Sequence, residues 1–213
     1  MIRDIVTLAV LAVGGWFAWN ELYRRGLVAS APPAIFDGPG ALLKARPASG
    51  DVDRIADTVG RAIAYARQAG VPASDVPLVA GIIQVESAAN PMAHNTDGED
   101  SRGLMQIQLA TAHGLHENGA ITGYAKDKLG QLLFDPVINV KIGLALLRYL
   151  RGKVPKDWSA SPERTTEWVL RAYNGGATWL SKGTGVRAAT MKYAQRVLDA
   201  SGVARARIDG EGG

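Results

Sequence analysis

Apolar residues recur along this chain at three- and four-residue intervals, in blocks set apart by glycine, proline and polar turns, which is the pattern of packed helices. Val52, Ile55, Val59 and Ile63 predict a helix over residues 51–69, stopped by Gly70 and Pro72. Val79, Ile82, Ile83 and Glu86 share the face of a second helix, opened by Ser74 or Asp75 as cap with Pro77 in its first turn. A turn-rich acidic loop follows Asn90, and residues 101–107 re-enter the core. A short helix over residues 110–116 is broken at Glu117-Asn118-Gly119, and the pattern of residues 120–133 assigns no element. Asp135-Pro136 opens a long helix with Val137, Val140, Leu144, Leu147 and Leu150 as its buried stripe. Gly143 within it predicts a close helix crossing. Ser161-Pro162-Glu163 opens another, with Trp168, Val169 and Ala172 inward. Residues 186–200 form the last helix, closed near Gly202, and the tail from Val203 is expected to be loose. No segment alternates like a strand, so the expected fold is mainly α with at most a small β-hairpin in the acidic loop.

Residues 5–19 are almost continuously apolar, and from Ile2 through Tyr23 the segment is long enough to span a bilayer, with Trp16, Trp19 and Tyr23 suited to one interface. The expectation is an uncleaved N-terminal transmembrane helix over residues 1–25. The rival is a cleaved signal peptide, with Ala29-Ser30-Ala31 as the small-residue site, but Pro32 would follow the cut and Arg24-Arg25 sits awkwardly behind the apolar run. Arg3 on one side and Arg24 and Arg25 on the other leave the orientation open. Residues 26–50, rich in Ala, Pro and Gly, read as a linker that gives reach. That leaves residues 51–202 as the one functional domain and 203–213 as the loose tail.

Composition narrows the choices little. The chain has 213 residues, 47% of them hydrophobic, enough for one packed domain with appendages. With no cysteine there are no disulfides and no thiolate metal sites. A net charge of +4 suits an anionic polymer or surface, but the basic residues are spread out, without the run a nucleic-acid tail would show.

Glu86 is the candidate for chemistry. It shares a face with Val79, Ile82 and Ile83 and falls near the C-terminal end of its helix. Apolar neighbours and the negative end of the helix dipole both raise a carboxyl pKa, and a carboxyl still protonated near neutrality is a general acid. On periodicity alone, a glutamate at a helix edge reaching into water is the simpler reading.

Further residues alter that balance. Val85-Glu86-Ser87 and Asn90-Pro91 are followed by Gly103-Leu104-Met105-Gln106-Ile107. Phe134-Asp135-Pro136 comes next, with Asn139 and Gly143, then Ala172-Tyr173-Asn174-Gly175-Gly176, then Tyr193 ahead of Arg196-Val197-Leu198. In this order, over about 125 residues, they resemble the catalytic core of the soluble lytic transglycosylase (SLT) family. The resemblance implies a lysozyme-like helical domain and an enzyme acting on peptidoglycan glycan strands. Such an enzyme cleaves the β-1,4 bond between N-acetylmuramic acid and N-acetylglucosamine and leaves 1,6-anhydromuramic ends. It implies Glu86 as the single catalytic acid and base, where most glycosidases use two carboxyl groups. Ser87, Ser101, Met105, Gln106, Tyr173, Asn174 and Tyr193 are the implied substrate-binding residues. The Met105 thioether would offer an adaptable apolar surface to a sugar, and the Tyr173 hydroxyl would reach Glu86 or the substrate acetamide.

Other readings stay open. Glu86 and Gln106 are 20 residues apart, slightly more than in the simplest family members, and Asp97, Glu99 and Asp100 occupy the extra loop. One of these acids could position a water and make the enzyme a lysozyme-type hydrolase; solvated turn formers are the plainer account. A non-catalytic wall-binding structural module is the alternative from another class. His113, His116 and Glu117 lack a third well-spaced ligand, so no metal is implied. No cofactor and no nucleic acid is implied. The expected partners are glycan strands, a membrane through the N-terminal helix, and the proteins of either a secretion machine or a phage virion. The expected location is a bacterial envelope, with the domain facing the wall, or a virion.

Overall fold

The computed structural model describes residues 49–96, 99–177 and 187–212. The expected transmembrane helix and nearly all of the linker lie outside the described residues, as does Asp97 of the acidic loop. Among the described residues no single helix is long and apolar enough to cross a membrane. Contacts divide the chain into Met1–Asp51 and Val52–Gly213, and the second unit holds the fold.

Helix α1, Ser49–Gln68, buries Val59, Ala62, Ile63 and Ala66. Its end is a left-handed turn at Gly70, where Val71 N donates to Ala66 O at 3.1 Å. Helix α2, Val76–Ser87, is the most apolar of the described helices, with Val79, Ala80, Ile82 and Ile83 buried. Asp75 precedes it, as expected, but its side chain makes no capping bond. Asp75 N and Val76 N both donate instead to Pro72 O, so the helix starts from a turn already begun at Pro72. At its other end Ala88 and Ala89 hold φ of 50° and 58°. Two successive alanines in the left-handed region each cost about 1 kcal/mol, which the surrounding packing must offset.

Three two-residue strands follow: β1 His94–Asn95, β2 Ser101–Arg102 and β3 Ile107–Gln108. They form an antiparallel sheet in the order β1-β2-β3, with His94 opposite Arg102 and Ser101 opposite Gln108. The sheet exceeds the hairpin expected from the acidic loop because Ile107, returning to the core, adds a third strand. The loop acids hold it together. Asp100 takes a two-pronged contact from Arg102, at 2.7 and 2.6 Å, and a 2.8 Å contact with His94 Nε2. Arg102 also donates to Gly130 O and lies over the Phe134 ring.

Helix α3, Leu109–Glu117, leads to a 3₁₀ turn at Lys126–Lys128 and to α4, Leu129–Leu132, in the stretch whose pattern assigned nothing. Helix α5, Pro136–Arg151, is capped as expected, Asp135 accepting from Ile138 N at 2.9 Å. Helix α6, Pro162–Gly175, starts the same way, Ser161 accepting from Arg164 N. It buries Trp168, Val169 and Ala172.

The last helix, α7, departs from expectation. It runs unbroken over Arg187–Glu211, so Gly202 does not close it and residues 203–211 are not loose. The reason is packing. Val197, Ser201, Ala204 and Ile208 continue one face at steps of four, three and four residues, Ala204 is fully buried and Ile208 lies against the core. Glu211 bonds Arg207 and Arg67, linking α7 to α1. Further up, α7 lies along α2 so closely that a Cβ at Gly81 would sit 2.7 Å from Val197 O. That approach is what brings Tyr193 to the end of α2.

Candidate active site

Glu86 stands in the last turn of α2, partly buried. Burial pushes its pKa up from 4.5 to about 7, against the opposing pull of a hydrogen bond from Tyr193 and then of the Arg196 charge. The desolvation argued from its apolar neighbours is thus the main cause. Tyr193, buried on α7, donates to Glu86 Oε1 at 2.6 Å. The Tyr193 ring lies nearly parallel to that of Tyr173 on α6, at 5° with 6.4 Å between centroids. Burial and the neighbouring Glu86 charge raise both phenols well above their ordinary pKa.

The Tyr173 hydroxyl does not go to Glu86, as the sequence suggested. It donates to Met105 O at 2.6 Å. Tyr173 therefore braces the turn of residues 103–106, while Tyr193 touches the carboxyl. Met105 also departs from its expected role as a sugar-facing surface. It is 0% exposed, its thioether is lodged against Gly143 of α5, and only its backbone takes part in the site's bonding.

The turn is held from four sides. Ser87 Oγ shares its one proton between Leu104 O at 2.8 Å and Ile83 O at 3.1 Å, tying the end of α2 to the turn. Gln106 adopts φ of 46°, and its amide donates to Ala93 O and Gly103 O, at 3.1 and 3.0 Å. Asn139 of α5, fully buried, accepts from Met105 N at 2.8 Å and donates to Arg102 O and Leu133 O at 2.9 and 2.8 Å. Gly103, at φ of 74°, passes so close to Asn139 that a Cβ would lie 2.9 Å from its Cγ. Ser101 is half-buried in β2 and Asn174 half-buried in the last turn of α6, directly after Tyr173.

The two described acids of the loop have other partners. Asp100 is held by Arg102 and His94, which bring its pKa down to about 2. Glu99 accepts from Gln108. His116 faces Tyr124 O at 3.0 Å, and among the described residues no three His, Asp or Glu side chains are placed to share a metal ion.

Two residues of the site carry no role in the sequence reading. Asn139 was visible only as part of the motif that opens α5; nothing in its spacing signals that it clamps a turn 34 residues away. Arg196 follows Tyr193 by three residues, one helical turn, which was the available sign that both face Glu86.

A protein of Haemophilus influenzae provisionally named soluble lytic murein transglycosylase is 35% identical over 108 residues, 49% of this chain and 16% of that protein. A transglycosylase of Enterobacteria phage PRD1 is 32% identical over 131 residues, 60% of this chain and 40% of its own. Membrane-bound lytic murein transglycosylase C of Histophilus somni is 33% identical over 112 residues, 52% of this chain and 29% of its own. The chain therefore spans less than half the length of each of these curated relatives. Residues 63–194 match the family model described as the transglycosylase SLT domain. That match takes in Glu86, the turn at residues 103–106, Asn139, Tyr173 and Tyr193, and this chain belongs to the SLT transglycosylase family.

Proposed function

We propose that the protein is a peptidoglycan lytic transglycosylase in which Glu86 serves as acid and then as base. The observation that carries this reading is one carboxyl with a pKa of about 7, acted on by a phenol and a guanidinium. With Tyr193 donating to Oε1, the acid proton resides on Oε2. That proton passes to the glycosidic oxygen as the β-1,4 bond breaks. The substrate's N-acetyl group stabilises the cation at the sugar carbon. The Glu86 carboxylate then takes the proton of the C6 hydroxyl of the same sugar, whose oxygen closes the 1,6-anhydro ring. No water is consumed, and Glu86 ends protonated as it began. The relatives named lytic murein transglycosylases support this outcome, as does the tying of Glu99 and Asp100 into the small sheet, away from a base role.

In this reading the glycan strand lies across the end of α2, with Ser101, Gln106 and Asn174 as the polar residues along it and Ser87 holding the turn in place. Residues 1–25 tether the domain, which extends beyond residue 202 to the end of α7, and residues 26–50 give it reach to the wall. Relatives named as membrane-bound and as a phage protein support the two settings, envelope or virion. The task in either is local opening of the wall.

The test is mass spectrometry of fragments released from purified peptidoglycan by the full-length chain, beside Glu86→Gln. The expected result is anhydromuropeptides from the parent and none from the variant. Reducing-end products would make the enzyme a hydrolase and send the search for a base to Asp97. No products from either would leave the chain a wall-binding module.

A further inference from the structure

We propose that Arg196 is a positioning residue: its guanidinium is the counter-charge that Glu86 meets when it ionises between the two halves of the reaction. The proposal rests on the reading of Glu86 as acid and then base.

Arg196 lies one turn beyond Tyr193, on the α7 face that closes over the end of α2. It is half-buried, and its Nε is enclosed without a hydrogen-bond partner. A guanidinium stays charged, and enclosing one of its donors unpaired opposes folding. Arg171 of α6 also has an enclosed Nε without a partner, but its Nη1 donates to Glu167 at 3.3 Å. Arg61 pairs with Asp57, and Arg67 and Arg207 pair with Glu211, all at the surface. The carboxyl that acts on Arg196 is Glu86. Burial lowers the Arg196 pKa, and Glu86 and then Tyr193 push it back up.

Among the described residues, the other titratable groups that act on Glu86 do not carry a charge. From α6 comes Tyr173 and from α7 Tyr193, both neutral across the working range because burial raises their phenols. Among the described residues that act on Glu86, Arg196 alone is permanently charged. Its consequence is specific to a one-carboxyl mechanism. The first proton transfer leaves a carboxylate in a buried place, and that carboxylate must persist until the C6 hydroxyl delivers its proton. Tyr193 supplies a hydrogen bond to it; Arg196 supplies the opposite charge.

The experiment uses the full-length chain as parent, Arg196→Met, Arg196→Gln and Arg196→Lys. Each is labelled with carbon-13 at the glutamate carboxyls, the Glu86 signal being assigned by its loss in Glu86→Gln. The Glu86 midpoint is expected to rise by roughly one pH unit in Arg196→Met and Arg196→Gln and to return toward the parent value in Arg196→Lys. Anhydromuropeptide release should follow it. The alkaline limb of the pH profile moves up by the same amount, and kcat at pH 7 falls roughly tenfold with KM little changed. Unchanged midpoints in the folded Met and Gln variants would overturn the proposal, as would an equal shift in Arg196→Lys. If the parent released no anhydromuropeptides, the transglycosylase reading would fall while the titration still decided whether Arg196 governs Glu86.

Discussion

The Tyr193 hydroxyl donates a 2.6 Å hydrogen bond to Glu86 Oε1, joining residues 107 positions apart on two helices that run side by side. The bond favours the ionised carboxyl and so lowers a pKa that burial raises. Tyr193→Phe keeps the ring against Tyr173 and removes only the donor. A hydrogen bond to a charged group is worth about 1.5–3 kcal/mol, so kcat is expected to fall roughly 10- to 100-fold, with the alkaline limb of the pH profile displaced upward. Tyr173→Phe should leave that limb in place, since its hydroxyl goes to Met105 O. Parallel pH–rate profiles of the two variants check this. An unmoved limb in Tyr193→Phe would sink it.

How far the site could be read beforehand depended on the range of the interaction. Asp135-Pro136 and Ser161-Pro162 announced helix starts because capping is settled within three or four residues. The raised pKa of Glu86 was legible too, since its apolar neighbours stand on its own helix. Which tyrosine touches it was not. That choice depends on how α6 and α7 sit against α2, and Tyr173 and Tyr193 are alike in residue type and both motif-borne. Met105 was misassigned for a related reason. Its place in a motif gives no account of which way its side chain faces, and in the structure that is toward Gly143. Asp75 stood in the right place but left the backbone of Pro72 to start the helix.

Stability should depend on Glu86 in a defined pH window. The unfolded chain releases this proton near 4.5 and the folded chain near 7. Between those values the folded state holds the proton more tightly. The stability associated with neutral Glu86 is fully present below 4.5 and is lost as pH rises through about 7. Glu86→Gln is neutral at every pH. It is expected to match the parent near pH 4.5 and to exceed it at pH 8 by on the order of 3 kcal/mol. Urea unfolding at both pH values measures the difference, and a gap that did not change with pH would contradict the assignment.

Asn139→Ala should be among the most damaging substitutions outside the reacting groups. It strips partners from three backbone groups, Met105 N, Arg102 O and Leu133 O, at a fully buried site. The expected loss is about 3 kcal/mol or more. Asn139→Asp should not rescue it, because a carboxylate can accept from Met105 N but cannot donate to the two carbonyls. Denaturant unfolding of both variants gives the answer. A loss under about 1 kcal/mol in Asn139→Ala would mean that the clamp is dispensable.

Gly202 distinguishes a helix that ends from one that continues. If α7 stopped there, the glycine would sit in a left-handed turn and a Cβ would be strained. The structure instead keeps it mid-helix within Arg187–Glu211, with nothing within 4 Å of an added Cβ. In a helix interior, alanine is favoured over glycine by about 0.5–1 kcal/mol. Gly202→Ala is therefore expected to stabilise the chain by that amount and to raise its melting temperature by a few degrees. A destabilised variant would return residues 203–211 to the loose tail that the lone glycine suggested. A stabilised one would confirm that the Val197, Ser201, Ala204 and Ile208 face carries the helix onward to the Glu211 pairing with Arg67.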